Sequence, residues 1–150
     1  MASLREWIDL VEGRPGDDEG ALWNGKHVVD TVGNFRIVVD DPTDATYVTA
    51  WTPDNKRVGS LSTRSLPGKI GRQYLGIGTV EVAPKYRGSR LGTAMYRALL
   101  QCLAPKWDGV ASYLPDRANK RHVPKIHRRL GGFHPEGDLD YIVIPRPDRS

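Results

Sequence analysis

A single cysteine, Cys102, stands in a chain of 150 residues. One cysteine excludes a disulfide framework within the chain. It sits inside a helical apolar pattern, where a sulfur reads as a small buried side chain rather than a nucleophile. No apolar run approaches the roughly 18 residues that span a bilayer. The opening MASLREWIDL carries acidic residues where a secretion signal would be apolar. An intracellular, cytoplasmic protein with no membrane partner is therefore expected. HExxH is missing, and His122, His127 and His134 do not share ligand spacing, so no metal is expected. Neither sign of charge dominates: 22 basic against 18 acidic residues leave +4, which permits an anionic ligand or nucleic acid without demanding either. What is present in quantity is apolar: 39% of residues are hydrophobic, enough for a packed core and one domain over 1–150.

Along the chain, Ser3 to Glu6 forms a capping-box pattern, and Leu4, Trp7, Ile8 and Val11 follow helical spacing, which predicts a short helix over 3–12. GRPGDDEG (13–20) reads as a loop. Phe35–Val39 predicts a strand closed by DDPTD. Tyr47–Trp51 and Val58–Leu61 predict a hairpin around TPDNKR. Gln73–Val82 predicts a longer strand whose Gly76 and Gly78 mark a bulge or a close approach. Leu91, Met95, Ala98, Leu99 and Cys102 recur at three and four, predicting a helix from Leu91 to Leu103 that Pro105 ends. Val110–Leu114 predicts a strand, 116–130 a partly helical segment stopped by Gly131 and Gly132, and Tyr141–Ile144 a last strand. An antiparallel first half joined to a strand–helix–strand–helix–strand second half gives an α/β (α+β) domain, its mixed, mostly antiparallel sheet carrying helices on both faces.

VAPKYRGSRLGTAMYRALLQ (82–101) passes from strand to helix through a loop bearing Lys85, Arg87, Arg90 and Gly88. The first amides of a helix lack partners and the helix dipole adds positive potential, so a phosphate fits there. Read alone, the loop is better explained by a solvated basic turn. Yet Val82-Ala-Pro84-Lys-Tyr86-Arg87-Gly88-Ser-Arg90-Leu91-Gly92 resembles the acyl-CoA-binding motif of the GNAT N-acyltransferase superfamily, with Arg90 in place of the middle glycine. NKRHVPKIHRRLGGF (119–133) is similar to the family's later motif, with His127 in place of a tyrosine.

The resemblance implies a sheet with splayed central strands and acetyl-CoA as acyl donor, its pyrophosphate on Arg87, Gly88, Ser89, Arg90, Leu91, Gly92 and Thr93. Pantetheine would pair with the strand edge near Val80 and Val82, and Asn119 would be a further CoA contact or a helix cap. An amine of an unidentified acceptor, small molecule or protein, would attack the thioester. A nucleic-acid acceptor such as aminoacyl-tRNA is a lesser alternative, suggested by the basic run DRANKRHVPKIHRR. A family member without catalysis is another. Monomer and homodimer stay equally open. The strand positions that supply the usual glutamate base are Tyr74, Gly76, Gly78 and Val80, none of them acidic. Glu81 on the same strand is a candidate base, or a salt-bridged or solvated residue, since its opposite parity should turn it to the other face. His127 could donate the proton to the departing thiolate, its ordinary pKa lying near ~6.5.

Overall fold

The computed structural model describes residues 22–23, 26–114, 123–135 and 138–147. The expected helix over 3–12, the loop 13–20 and the stretch 116–122 lie outside the described residues. Eight strands form one sheet: β1 (Leu22–Trp23), β2 (Lys26–Val32), β3 (Phe35–Val39), β4 (Tyr47–Trp51), β5 (Arg57–Arg64), β6 (Tyr74–Val82), β7 (Gly109–Tyr113) and β8 (Tyr141–Pro145). The described helices are α1 (Gly68–Gln73), α2 (Leu91–Gln101) and α3 (Val123–Arg129). Spatial order follows chain order, and every neighbouring pair is antiparallel except β6 with β7. A parallel pair cannot be joined by a tight turn, and α2 supplies the crossover.

Alternation sorts the strands into two faces. Ile37 and Val39 turn toward α2, whereas Val38 joins Val28 and Trp51 on the opposite face. α2 packs across β2 to β6 and buries Leu91, Ala94, Met95, Tyr96, Ala98, Leu99 and Leu100. Gly59 admits the tip of Met95, since a Cβ there would lie 3.1 Å from its Cε. The helix stops at Gln101, two residues before the expected Leu103. Cys102 leaves helical geometry at φ −107°, and its carbonyl accepts the amide of Ala45 at 2.9 Å.

Burial pushes the Cys102 thiol pKa up, with the nearby Asp41 and Asp40 charges adding to it. A thiol reagent such as dithionitrobenzoate should therefore leave the native protein unlabelled over minutes and modify one sulfur after denaturation. Fast labelling of the native chain would contradict the packing at the end of α2.

Two strands and a helix were not anticipated. β2 (KHVVDTV) breaks alternation with adjacent valines and an aspartate, yet it pairs with β3 through the two-residue turn Gly33-Asn34. That dipeptide, with Gly33 at φ +59°, was the readable hairpin signal. β1 is only two residues long and α1 buries no side chain, so neither leaves an apolar pattern. β5 runs on to Arg64, past the expected end at Leu61, because the polar Ser-Thr-Arg continuation pairs with β6.

The feature that organises the rest is where β6 and β7 part. They pair only over Tyr74–Gly76 and Gly109–Ala111, while β6 continues to Val82. Beyond Gly76 the β7-side edge of β6 has no strand partner among the described residues.

Candidate active site

The register between β5 and β6 steps from Ser62↔Thr79 to Thr63↔Ile77, which leaves Gly78 as the extra residue of a bulge. Ser62 Oγ accepts the Thr79 amide at 3.1 Å and lies 2.7 Å from Thr79 Oγ1, filling the bulge. Gly76 serves a different purpose. A Cβ there would fall 2.5 Å from the Arg64 carbonyl oxygen and 2.6 Å from Leu66 Cγ.

Ala83 donates its amide to Val58 O at 2.8 Å. In an antiparallel ladder residues alternate between bonding the partner and pointing away from it. Ala83, Glu81 and Thr79 therefore aim their backbone groups at β5, whereas Val82 and Val80 aim theirs at the open edge. That edge can accept an extended chain by strand addition. One of its groups is already used: Arg87 Nε donates to Val82 O at 3.2 Å, tying the following loop to the strand end.

After β6 a single 3₁₀ turn, Pro84–Tyr86, leads into Arg87-Gly88-Ser89-Arg90. Gly88 has φ +85°, and Ser89 Oγ donates to the Tyr86 carbonyl. Arg90 is the N-cap of α2, left-handed at φ +67°, ψ +18°, and offers no side-chain cap. The first intrahelical bond is Ala94 N to Arg90 O at 3.0 Å. The amides of Leu91, Gly92 and Thr93 thus open into the cleft without a helical acceptor, a cradle for an anion. Arg90 occupies a conformation that costs a non-glycine residue about 1–2 kcal/mol. Arg90→Gly is expected to raise the unfolding free energy by about 1 kcal/mol, after allowance for the looser unfolded chain, in a denaturant titration.

α3 closes the other side. Ile126 is buried against Gly92, where a Cβ would meet its Cδ1 at 3.0 Å. Arg129 Nη1 donates to Thr93 Oγ1 at 3.3 Å, so the two helices are linked beside the open amides. Between them lies a cleft of about 280 Å³, walled by Val80 and Val82 of β6, Tyr86 to Gly88 and Arg90 to Thr93 of the turn and α2, and Lys125, Ile126 and Arg129 of α3. Tyr86 is steadied by an edge-on contact with Phe35 at 5.5 Å. Floor and roof are apolar and the rim carries four cations, an arrangement that fits a long ligand with an anionic end.

Of the residues singled out from sequence, Val80, Val82, Arg87, Gly88, Arg90, Leu91, Gly92 and Thr93 meet at this cleft, and Ser89 braces its turn. Glu81 is exposed, pairs with Ser60 and does not line the cleft. His127 falls within α3, and its side chain is outside what is described; Asn119 lies outside the described residues. Lys125 and Arg129 belong to the basic run DRANKRHVPKIHRR, which on sequence suggested a nucleic-acid acceptor. They line the cleft, and their i, i+4 spacing was the available signal. No group of three His, Cys, Asp or Glu among the described residues could hold a metal ion.

The model of the GNAT acetyltransferase family matches residues 9–131. Among solved structures the chain is similar to nourseothricin acetyltransferase, at 16% identity and a TM-score of 0.51, covering 77% of this chain and 67% of that one. No curated protein sequence matches.

Proposed function

Because the chain belongs to the GNAT acetyltransferase family, we propose that it transfers an acetyl group from acetyl-CoA to a primary amine of a small-molecule or protein acceptor. The observation that carries this reading is the continuity of one cleft from the open edge of β6 to the free amides of α2. A strand edge suits the amide-bearing pantetheine arm, and a helix start suits a pyrophosphate.

On this reading Val80 and Val82 offer backbone groups to the arm. Gly88, Ser89, Arg90, Leu91, Gly92 and Thr93 cradle the phosphates with Arg87, and Asn119 adds a contact. The thioester then lies at the fork. As the acceptor nitrogen bonds to the carbonyl carbon, the carbon–sulfur bond breaks, the amine proton passes to water and the sulfur leaves as CoA thiol. His127 donates the proton to that sulfur. Water is assigned the amine proton because no described residue lining the cleft is a carboxylate and Glu81 sits on the far face.

Calorimetric titration with acetyl-CoA tests the donor. A folded protein that shows no binding at high micromolar concentration would refute it. Release of CoA thiol with a panel of amines tests turnover, and His127→Phe is expected to slow it by about 100-fold with donor affinity kept. The same missing carboxylate favours a second reading, a scaffold that binds acyl-CoA without catalysis. Donor binding with no thiol release from any amine would select it.

A further inference from the structure

We propose that Lys125 and Arg129 of α3 form a subsite for a phosphomonoester, the 3′-phosphate of CoA, and make the cleft selective for CoA over 3′-dephospho-CoA. This rests on the acyl-CoA reading above and adds the part of the ligand that α3 would read.

The rim carries four cations in two pairs: Arg87 and Arg90 on the loop, Lys125 and Arg129 on α3. No acidic residue is among the described lining to neutralise them. A pyrophosphate diester at the start of α2 is served by the open amides together with the loop arginines. The α3 pair is then surplus to it. A phosphomonoester carries roughly −1.5 to −2 charge at neutral pH and three acceptor oxygens, which matches a surplus of two adjacent cations.

The pair is also arranged for the task. Residues four apart share one face of a helix. Arg129 is not loose: its Nη1 rests on Thr93 Oγ1 at 3.3 Å, and Thr93 is itself buried in the first turn of α2. One donor of a five-donor guanidinium is used, and the rest stay available beside the amides. Fixing the side chain in advance lowers the ordering cost of binding. Gly92 allows this approach, because a Cβ there would already crowd the tip of Ile126, its Cδ1 lying 3.0 Å away.

The test is calorimetric titration of the full chain with CoA and with 3′-dephospho-CoA. The wild type should bind CoA roughly tenfold or more tightly than the dephospho form. Lys125→Ala/Arg129→Ala should weaken CoA by about the same factor and leave dephospho-CoA unchanged, while Arg97→Ala, an exposed charge on α2 outside the cleft, should keep the preference. Equal affinity of the wild type for both ligands overturns the subsite with no variant needed. So does an equal loss of both ligands in the double variant, or loss of preference in Arg97→Ala. Failure of the wild type to bind either ligand overturns the acyl-CoA reading and this inference together.

Discussion

Gly109→Ala is expected to cost the fold about 3 kcal/mol or more, the largest loss foreseen for any single added methyl group in the sheet. A Cβ at this position would lie 2.1 Å from the Ile144 carbonyl oxygen and 2.9 Å from Pro145 Cα. These are backbone atoms, so no side chain can swing aside to relieve the overlap. Gly109 also pairs with Tyr74 of β6 on one side and Pro145 of β8 on the other. Its neighbour Asp108 donates to Gln73 O and accepts from Arg146 N, both at 2.8 Å. Movement of β8 therefore strains the register that joins β7 to β6. Gly33→Ala is the comparison: that glycine has φ +59° with nothing within 4 Å of its added Cβ, so it bears only the conformational cost, about 1 kcal/mol. Urea titrations of both variants should place the midpoint of Gly109→Ala far below that of Gly33→Ala. Equal midpoints would mean that β7 and β8 do not meet in this register.

Gly92→Leu should lower acetyl-CoA affinity by 100-fold or more, about 2.7 kcal/mol, with a smaller loss of stability. The first added carbon meets Ile126 Cδ1 at 3.0 Å, the far end of a flexible side chain that can shift. The remaining carbons then occupy a cleft of about 280 Å³ next to the amides of Leu91 and Thr93. Displacement of Ile126 would also draw Arg129 off Thr93. Calorimetry with acetyl-CoA measures the first effect and a thermal melt the second. Retained affinity in a folded Gly92→Leu protein would remove the cleft from consideration as the donor site.

How much of this was legible depended on how strongly each segment patterned its apolar residues. β3 appears at its expected bounds because FRIVV is a short, almost wholly apolar run between turn signals. The start of α2 at Leu91 was fixed by the three-and-four recurrence, and its end was overrun because Cys102 and Leu103 are buried without being helical. β2 escaped because strand identity there comes from pairing with β3 rather than from alternation. At the site, the loop from Arg87 to Gly92 was legible as chemistry, since glycine and cations before a helix have a local meaning. The role of Arg129 was not, because it depends on a contact with a residue 36 positions earlier. Likewise the purposes of Gly76, Gly78 and Gly92 differ, and only their neighbours in space distinguish close packing from a bulge.

The short pairing of Tyr74–Gly76 with Gly109–Ala111 makes the sheet a six-stranded meander and a two-stranded wing held along a seam of three residue pairs. α2 leaves the meander side of that seam and returns the chain to the wing side, so it acts as the strap across the joint. A long gap in a sheet would ordinarily unzip further, because each lost pair exposes the next. Here the opening begins where Gly76, packed under Leu66, pairs with Ala111, while Gly109, packed against β8, pairs with Tyr74 at the closed end of the seam. The seam is thus bounded at each end by a residue that has no side chain to give way. A protein that must hold a slender ligand between two strands, without letting the strands come apart, has its tolerance fixed there.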